Sequence, residues 1–207
     1  MILAINNLQD VIPVLVPGLQ RLEKEYGASH WLGFVRYGAM IREVSGSEQA
    51  LSSLLPEYLI GSAILSSFTI QEPMHEWYQN EKHALVYMGT LENAKEIRAE
   101  LLDLGYEFQG KTDKEVFYSC FNRYLDVGMS PLEAMKLTFM RLQGRFAVMA
   151  VFAQQEEGLI IGSRGYPLAM GVLSNSLIVS SNIQMLKRLS QSVMAVEEGK
   201  PLVLCSV

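Results

Sequence analysis

The feature that most constrains the fold is a block of three helices lying between two stretches of short apolar strands. The first helix has apolar residues at helical spacing and a stop signal at Gly105. The other two open at Thr112 and Ser130, because each of these residues is followed three positions later by a glutamate, the spacing of a capping box. Pro131 also occupies a first helical position, where proline is favoured. The three predicted helices span Glu92–Leu104, Thr112–Asp126 and 130–144.

Short strands are predicted on both sides of this block, together with one earlier helix that opens at Asp10. Each sheet needs one face covered by helix and the other by sheet. We therefore expect an α+β fold, a four-layer αββα sandwich with two antiparallel sheets between helical layers. Neither a repeat nor a linker interrupts residues 1–207, which predicts a single domain. The predicted strands are Met1–Ile5, Trp31–Tyr37, Ala39–Val44, Gly61–Ser67, Ala84–Met88 (ending at Gly89), Arg145–Ala153, Leu159–Gly162, Leu168–Val172, Leu177–Ser180, Val193–Val196 and Leu202–Cys205.

The charge balance argues against nucleic acid or a membrane as the main partner. The chain carries 17 basic and 22 acidic residues, a net charge of −5, and its Lys and Arg residues form no cluster. It contains no apolar run of spanning length and no basic start typical of a signal peptide. With only two cysteines, a disulfide framework is not indicated, so a cytoplasmic location is expected.

The residues that most often carry chemistry give weak signals. Cys120 and Cys205 lie in apolar surroundings and are predicted to be small buried residues rather than nucleophiles. The histidines lack the spacing of a zinc site, and no phosphate-binding loop occurs, so neither a metal nor a cofactor is expected. The three histidines are His30, His75 and His83.

Two further patterns remain to be assigned. The aromatic and acidic segment His75–Tyr78 fits either a surface loop or a reshaped pocket rim, and the loop is favoured. Four methionines follow apolar periodicity and are predicted to lie in the core. They are Met135, Met140, Met149 and Met170.

Motifs spread over almost the whole chain resemble, in order and spacing, those of the glutaminase domain of glucosamine-6-phosphate synthase, a class II glutamine amidotransferase. One of these motifs departs from the family pattern. The family's R-x-G-x-P-L corresponds to Ser163–Leu168, in which the arginine stands at the second position instead of the first. The resemblance implies the sandwich of the N-terminal-nucleophile (Ntn) hydrolases. The motifs are Asp10-Val11, Gly18–Glu23, Gly89 with Glu92-Asn93, Thr112–Val116, Leu142–Ala147, Ser163–Leu168 and Glu197–Gly199.

The resemblance also implies an N-terminal cysteine nucleophile, which this sequence does not provide. Counted back from Asp10-Val11, the nucleophile falls one place before Met1, and a gap of one residue puts it on Met1. A thioether has no proton to lose and cannot form an acyl-enzyme. Because Ile2 is large, removal of the initiator methionine is not expected.

The other functional positions of the family are only partly kept. The arginine that would bind the carboxylate of glutamine falls on Ser66, and a hydroxyl cannot replace a bidentate guanidinium. The asparagine of the oxyanion hole falls on Met88, whereas its glycine is kept as Gly89. Losing one such donor typically costs a factor of about 10² to 10³ in rate. The aspartate that would bind the substrate ammonium is kept as Asp113. The two retained residues, Gly89 and Asp113, also suit purely structural roles.

The sequence therefore predicts a degenerate glutaminase-like domain that acts by binding. It would be either a partner of a sugar-phosphate isomerase or aminotransferase subunit, or a sensor of a small metabolite such as glutamine. The alternative is an active glutamine amidohydrolase or amidotransferase that supplies ammonia for glucosamine-6-phosphate synthesis with displaced catalytic groups. The family's isomerase domain has no counterpart in this sequence, so synthase activity would need another chain.

Overall fold

The computed structural model describes residues 2–10, 30–37, 40–46, 60–68, 76–79, 82–153, 159–173 and 176–204. In chain order the elements are β1 (Ile2–Asp10), β2 (His30–Tyr37), β3 (Met40–Gly46), β4 (Ile60–Phe68), β5 (Glu76–Gln79), β6 (His83–Leu91), α1 (Ala94–Asp103), α2 (Asp113–Asp126), α3 (Pro131–Arg141), β7 (Gly144–Phe152), β8 (Leu159–Arg164), β9 (Ala169–Leu173), β10 (Ser176–Ser180), α4 (Ile183–Leu189), β11 (Val193–Ala195) and β12 (Leu202–Leu204).

The described strands form two sheets in which every pairing is antiparallel. One sheet has seven strands in the order β11-β9-β10-β1-β4-β2-β3, and the other has five in the order β12-β8-β7-β6-β5. The two sheets stack face to face, because β4 contacts both β6 and β7.

The helix-side layer is the core between the five-stranded sheet and helices α1, α2 and α3. Capping boxes at Thr112 and Ser130 start α2 and α3 as predicted. Aromatic rings dominate this layer, and each of the following is almost fully buried: Tyr87, Phe117, Phe121, Phe139 and Phe146. Burial of this much apolar surface holds the three helices on the sheet.

The sheet–sheet layer is the core between the two sheets, and its side chains are mostly smaller and aliphatic. It combines Ala4 and Ile64 of the seven-stranded sheet with Ala84, Val86, Ala147, Met149, Val151, Leu159 and Ile161 of the other. Successive strand residues point to opposite faces, so one strand feeds both layers. In β7, for example, Phe146 lies in the helix-side layer and Ala147 in the sheet–sheet layer.

The fourth layer is carried by α4, which contacts β9 and β10 of the seven-stranded sheet. Leu177 and Val179 of β10 face the other sheet, whereas Ile178 between them points away and is still buried. The predicted αββα sandwich is therefore confirmed. Among the described helices, none is both long and apolar enough to cross a membrane.

Several sequence predictions need correction. The segment before β6 is a strand rather than a loop, because Glu76–Gln79 pairs with Ala84–Tyr87. The strand predicted to end at Gly89 continues to Leu91, since its pairing with β7 runs to Gly144. Met140 is 79% exposed and was wrongly assigned to the core, because the apolar face of α3 lies elsewhere.

The other predicted elements agree within a few residues, although α1 starts at Ala94 and α3 ends at Arg141. Strand β1 runs through Asp10, so this residue does not open a helix. The predicted remainder of that helix lies outside the described residues, as do His75 and Cys205. Helix α4 was not predicted.

Candidate functional site

The candidate site lies at the end of β6, where this strand pairs with the start of β7. Gly89 has a φ of +136°, and a Cβ there would lie 2.2 Å from the carbonyl oxygen of Arg145. Gly144 on the facing strand has a φ of +135°, and its Cβ would lie 2.3 Å from the carbonyl oxygen of Thr90. Only glycine fits at these two positions, because both the backbone conformation and the space exclude a side chain. The structure thus gives Gly89 a packing role within a strand rather than in a turn after it.

Asn93 ties the end of β6 to the turn that precedes β7. Its side-chain amide donates to the carbonyl of Arg141 at 3.0 Å, and its Oδ1 accepts the N–H of Gln143 at 2.9 Å. The N–H of Glu92 donates to the carbonyl of Gln143 at 2.9 Å. Three bonds between the same two segments fix the path of the chain from β6 into α1.

Asp113 lies at the first position of α2 and contacts the end of β6. Its Oδ2 accepts the backbone N–H of Leu91 at 2.7 Å, two residues beyond Gly89. No hydrogen bond from any other described residue reaches its second oxygen. One half of the carboxylate is therefore anchored, and the other half is available to a cation, in a position where the helix dipole also favours a negative charge.

The chain between α1 and α2 is held by Glu115 and Arg98. Glu115 Oε1 accepts the N–H groups of Gln109 at 2.9 Å and Gly110 at 2.7 Å, and Oε2 accepts that of Thr112 at 3.3 Å. Partial burial would raise the pKa of Glu115, but these three bonds and the nearby Arg98 guanidinium outweigh it and lower the pKa. The carboxylate is thus held in its charged form.

Met88 points into the sheet–sheet layer, where it packs against the buried cluster. Its register partner on β7 is Ala147, whose partner on β8 is Ser163, so the three residues form one row across the inner face of the sheet. The hydroxyl of Ser163 is fully buried and has no hydrogen-bond partner among the described residues. The row contains no side-chain amide.

One further candidate, Ser66, lies on the other sheet. In the seven-stranded sheet, Ser66 lies opposite Ile2 on β1 and Leu32 on β2. Met1 lies outside the described residues.

Cys120 is 1% exposed in the helix-side layer, and burial raises the pKa of its thiol to about 12. That supports the prediction of a small buried residue. In the described part of the chain, no group of three or more His, Cys, Asp and Glu side chains could hold a metal ion.

The structure connects Gly89 and Asp113 through the N–H of Leu91, and it adds the contacts of Arg98 and of the Glu115 carboxylate with the segment before α2. Arg98 would have been hard to find, because it looks like one more charged residue on an exposed helix face. Glu115 was noted for its capping spacing, but the spacing does not indicate that its carboxylate also holds Gln109 and Gly110.

Comparison with known proteins gives the family and the fold of this chain. A family model described as a glutamine amidotransferase domain matches residues 62–188. The chain is 29% identical over 98% of its length to the glutamine–fructose-6-phosphate aminotransferase [isomerizing] of Bartonella quintana. It is 30% identical over 96% of its length to the protein of the same name from Mesorhizobium japonicum. It spans about a third of these relatives, 35% and 34% of their respective lengths.

Solved structures show the same fold at low sequence identity. The glutamine phosphoribosylpyrophosphate amidotransferase of B. subtilis superimposes with a TM-score of 0.69 at 16% identity, covering 100% of this chain and 49% of that one. A predicted glutamine amidotransferase from Pseudomonas aeruginosa superimposes with a TM-score of 0.58 at 8% identity, covering 99% and 97%. The family model and the fold agree: this chain belongs to the glutamine amidotransferase domain family.

Proposed function

We propose that this domain binds glutamine or a closely related amino acid through Asp113 and does not hydrolyse it. The observation that carries the proposal is the half-anchored carboxylate of Asp113. Its Oδ2 is fixed by the N–H of Leu91, so Oδ1 can accept a charge-assisted hydrogen bond from an α-ammonium group without rearrangement.

The absence of turnover is proposed from the groups around that carboxylate. Met88 stands where the family pattern has an asparagine amide, and its thioether packs into the apolar sheet–sheet layer instead of offering a donor. The described cysteine, Cys120, lies in the core on the helix side with a thiol pKa of about 12. Such a thiol does not form a thiolate near neutral pH.

Ser66 is relevant to how the carboxylate of the amino acid would be bound. In the family pattern this position carries the arginine that pairs with the carboxylate of glutamine. A serine there removes the charge that favours glutamine over an amine without a carboxylate. We therefore expect weaker and less selective binding than a complete clamp would give.

A second candidate function is that of a partner for a sugar-phosphate isomerase-like subunit. It is favoured by the relatives named glutamine–fructose-6-phosphate aminotransferase [isomerizing], of which this chain matches about a third. In this version the domain binds such a subunit as a separate protein. The active amidotransferase remains the alternative and requires a nucleophile that the described residues do not supply.

Calorimetric titration with L-glutamine and L-glutamate, with ammonia measured in the same samples, tests the proposal. We expect binding without ammonia release. Asp113→Asn should weaken binding about 10- to 100-fold, because a hydrogen bond to a charged group contributes about 1.5–3 kcal/mol. Glu96→Gln is the matched control, since it removes one carboxylate from the exposed first turn of α1 and should leave affinity unchanged.

Two outcomes would overturn the proposal. Absence of any binding by the wild-type protein would leave Asp113 and Gly89 with structural roles alone. Ammonia release that is lost in Asp113→Ala would show that the domain is an active glutaminase.

A further inference from the structure

Arg98 lies on α1 and is partly buried. Its guanidinium donates to the carbonyl of Gly110 at 2.8 Å and to that of Thr112 at 3.0 Å. It also lies over the ring of Phe108, 4.2 Å from the ring centroid. Planar guanidinium groups favour this combination of forked donation and stacking.

Glu115 binds the same segment through its N–H groups. The segment 108–112 is therefore held through its carbonyls by a cation on α1 and through its amides by an anion on α2. The two charges also face each other, with 3.8 Å between Arg98 Nη2 and Glu115 Oε2. Both side chains are largely shielded, 19% and 13% exposed, so the pair is less screened than an ordinary surface ion pair.

This held segment ends one residue before Asp113. The carbonyl of Thr112, which Arg98 contacts, belongs to the peptide bond that leads into Asp113. A rotation of that peptide would swing the first turn of α2 and move the carboxylate away from the N–H of Leu91. Because α1 is itself fixed to the β7 turn through Asn93, Arg98 provides a rigid reference point.

We propose that Arg98 is a positioning residue that acts through the Thr112 carbonyl to place the Asp113 carboxylate for its ligand. That Asp113 binds a ligand rests on the proposed function. That Asp113 accepts a hydrogen bond from the Leu91 N–H does not. Arg98 does not touch the ligand. Its effect on affinity therefore depends entirely on Asp113.

The first experiment is a double-mutant cycle on amino-acid affinity, with L-glutamine as the titrant. Arg98→Gln should weaken binding about tenfold, corresponding to about 1.4 kcal/mol. In an Asp113→Asn background the same change should have no further effect, because the group that Arg98 positions is already neutral. Arg98→Lys should recover only part of the loss, since an ammonium cannot reach both carbonyls with a planar fork.

Lys95→Gln is the matched control, because it removes one positive charge from an exposed position on the same helix. It should leave affinity unchanged. Equal losses from Arg98→Gln in the two backgrounds would show that Arg98 acts independently of Asp113 and would overturn the proposal. Thermal unfolding of each variant separates these losses from a failure to fold.

The second experiment measures amide hydrogen exchange rates in the isotope-labelled full chain and needs no ligand. Arg98→Gln should speed exchange at the Leu91 N–H, which Asp113 protects, while Lys95→Gln should not. Unchanged Leu91 exchange in Arg98→Gln would overturn the positioning role even if the domain binds no amino acid. Faster exchange combined with no binding by the wild type would reject the proposed function and keep the positioning role.

Discussion

The two faces of the five-stranded sheet are built from alternate residues of the same strands, yet they differ in kind. The helix-side face carries the rings of Tyr87, Phe146 and Phe152, and Phe146 meets Phe139 of α3 edge to face with 5.0 Å between the centroids. The sheet–sheet face carries mostly alanine, valine, isoleucine and methionine. Rings that interlock at fixed angles cannot shift to fill a gap, whereas aliphatic side chains adjust more readily. We therefore expect substitutions in the helix-side layer to cost more stability than substitutions in the sheet–sheet layer.

The largest expected effect comes from adding one methyl group at Gly89, against the backbone of β7 at Arg145 and Phe146. Gly89→Ala should destabilise the domain by about 3 kcal/mol or more, because both the strained φ and the clash with β7 contribute. The measurement is thermal unfolding together with the yield of folded protein. Gly105→Ala, at a positive φ with open space around it, is the control and should cost less. Equal losses would mean that conformation alone, and not the approach of β7, requires glycine.

Adjacent residues of β8 compare the two layers directly. Ile160 faces the helices, Ile161 faces the other sheet, and both are fully buried. Each change to alanine should cost about 2–5 kcal/mol, with Ile160→Ala the more costly by about 1 kcal/mol, because a cavity beside rings relaxes less. Chemical denaturation gives both values. A larger loss of stability in Ile161→Ala than in Ile160→Ala would contradict the expected difference between the two layers.

His83 should make the helix-side layer sensitive to acid. It is 3% exposed beside the rings of Tyr118, Phe121 and Phe152. Burial lowers its pKa from 6.5 to about 4; an adjacent Asn122 and the carboxylate of Asp126 oppose this shift, and Lys82 adds to it. Between these two pH values His83 is protonated in the unfolded chain and neutral in the folded protein. The free energy of unfolding therefore falls as the pH drops from about 6.5 to about 4, by up to about 3 kcal/mol.

Unfolding free energies measured across this pH range test the expectation. His83→Phe keeps a ring in place and should flatten the profile between pH 6.5 and pH 4. A slope that persists unchanged in the variant would assign the acid sensitivity to other groups.

The smallest expected changes in stability concern two buried serines, at which alanine should have opposite effects. Within the described part of the chain, Ser163 in the sheet–sheet layer has no hydrogen-bond partner, so Ser163→Ala should stabilise the domain by up to about 1 kcal/mol. The hydroxyl of Ser190 donates to the carbonyl of Val172 at 2.7 Å and accepts its N–H at 3.1 Å. Ser190→Ala should therefore destabilise by about 1 kcal/mol. Loss of stability in both variants would show that Ser163 has a partner in solution.

Much of this architecture could be predicted from local signals. Capping spacing at Thr112 and Ser130 located two helices, because their first turns are satisfied by residues within the same segment. Strand β5 was missed because Glu76–Gln79 has no apolar alternation of its own and is stabilised by pairing with β6. Met140 was misplaced because its apolar character says nothing about which side of α3 faces the sheet.

The site was less predictable than the fold. Gly89 and Asp113 were identified through their motifs, but their connection passes through the backbone of Leu91, and no side-chain pattern encodes a backbone donor. Arg98 is 14 residues from Thr112 in sequence, so its contact depends on how α1 and α2 pack. Ser66 and Met1 stay predictions, since neither side chain belongs to the described structure.

The displaced arginine of the R-x-G-x-P-L-like motif has a consequence of its own. Arg164 points to the helix side, where it bonds the carbonyls of Phe139 and Leu142 at the end of α3 and lies near the ring of Phe146. An arginine one position earlier would point between the sheets, because neighbouring strand residues face opposite ways. The order Ser163-Arg164 therefore puts the charge of arginine on the helix side of the sheet and leaves a buried hydroxyl on the sheet–sheet side.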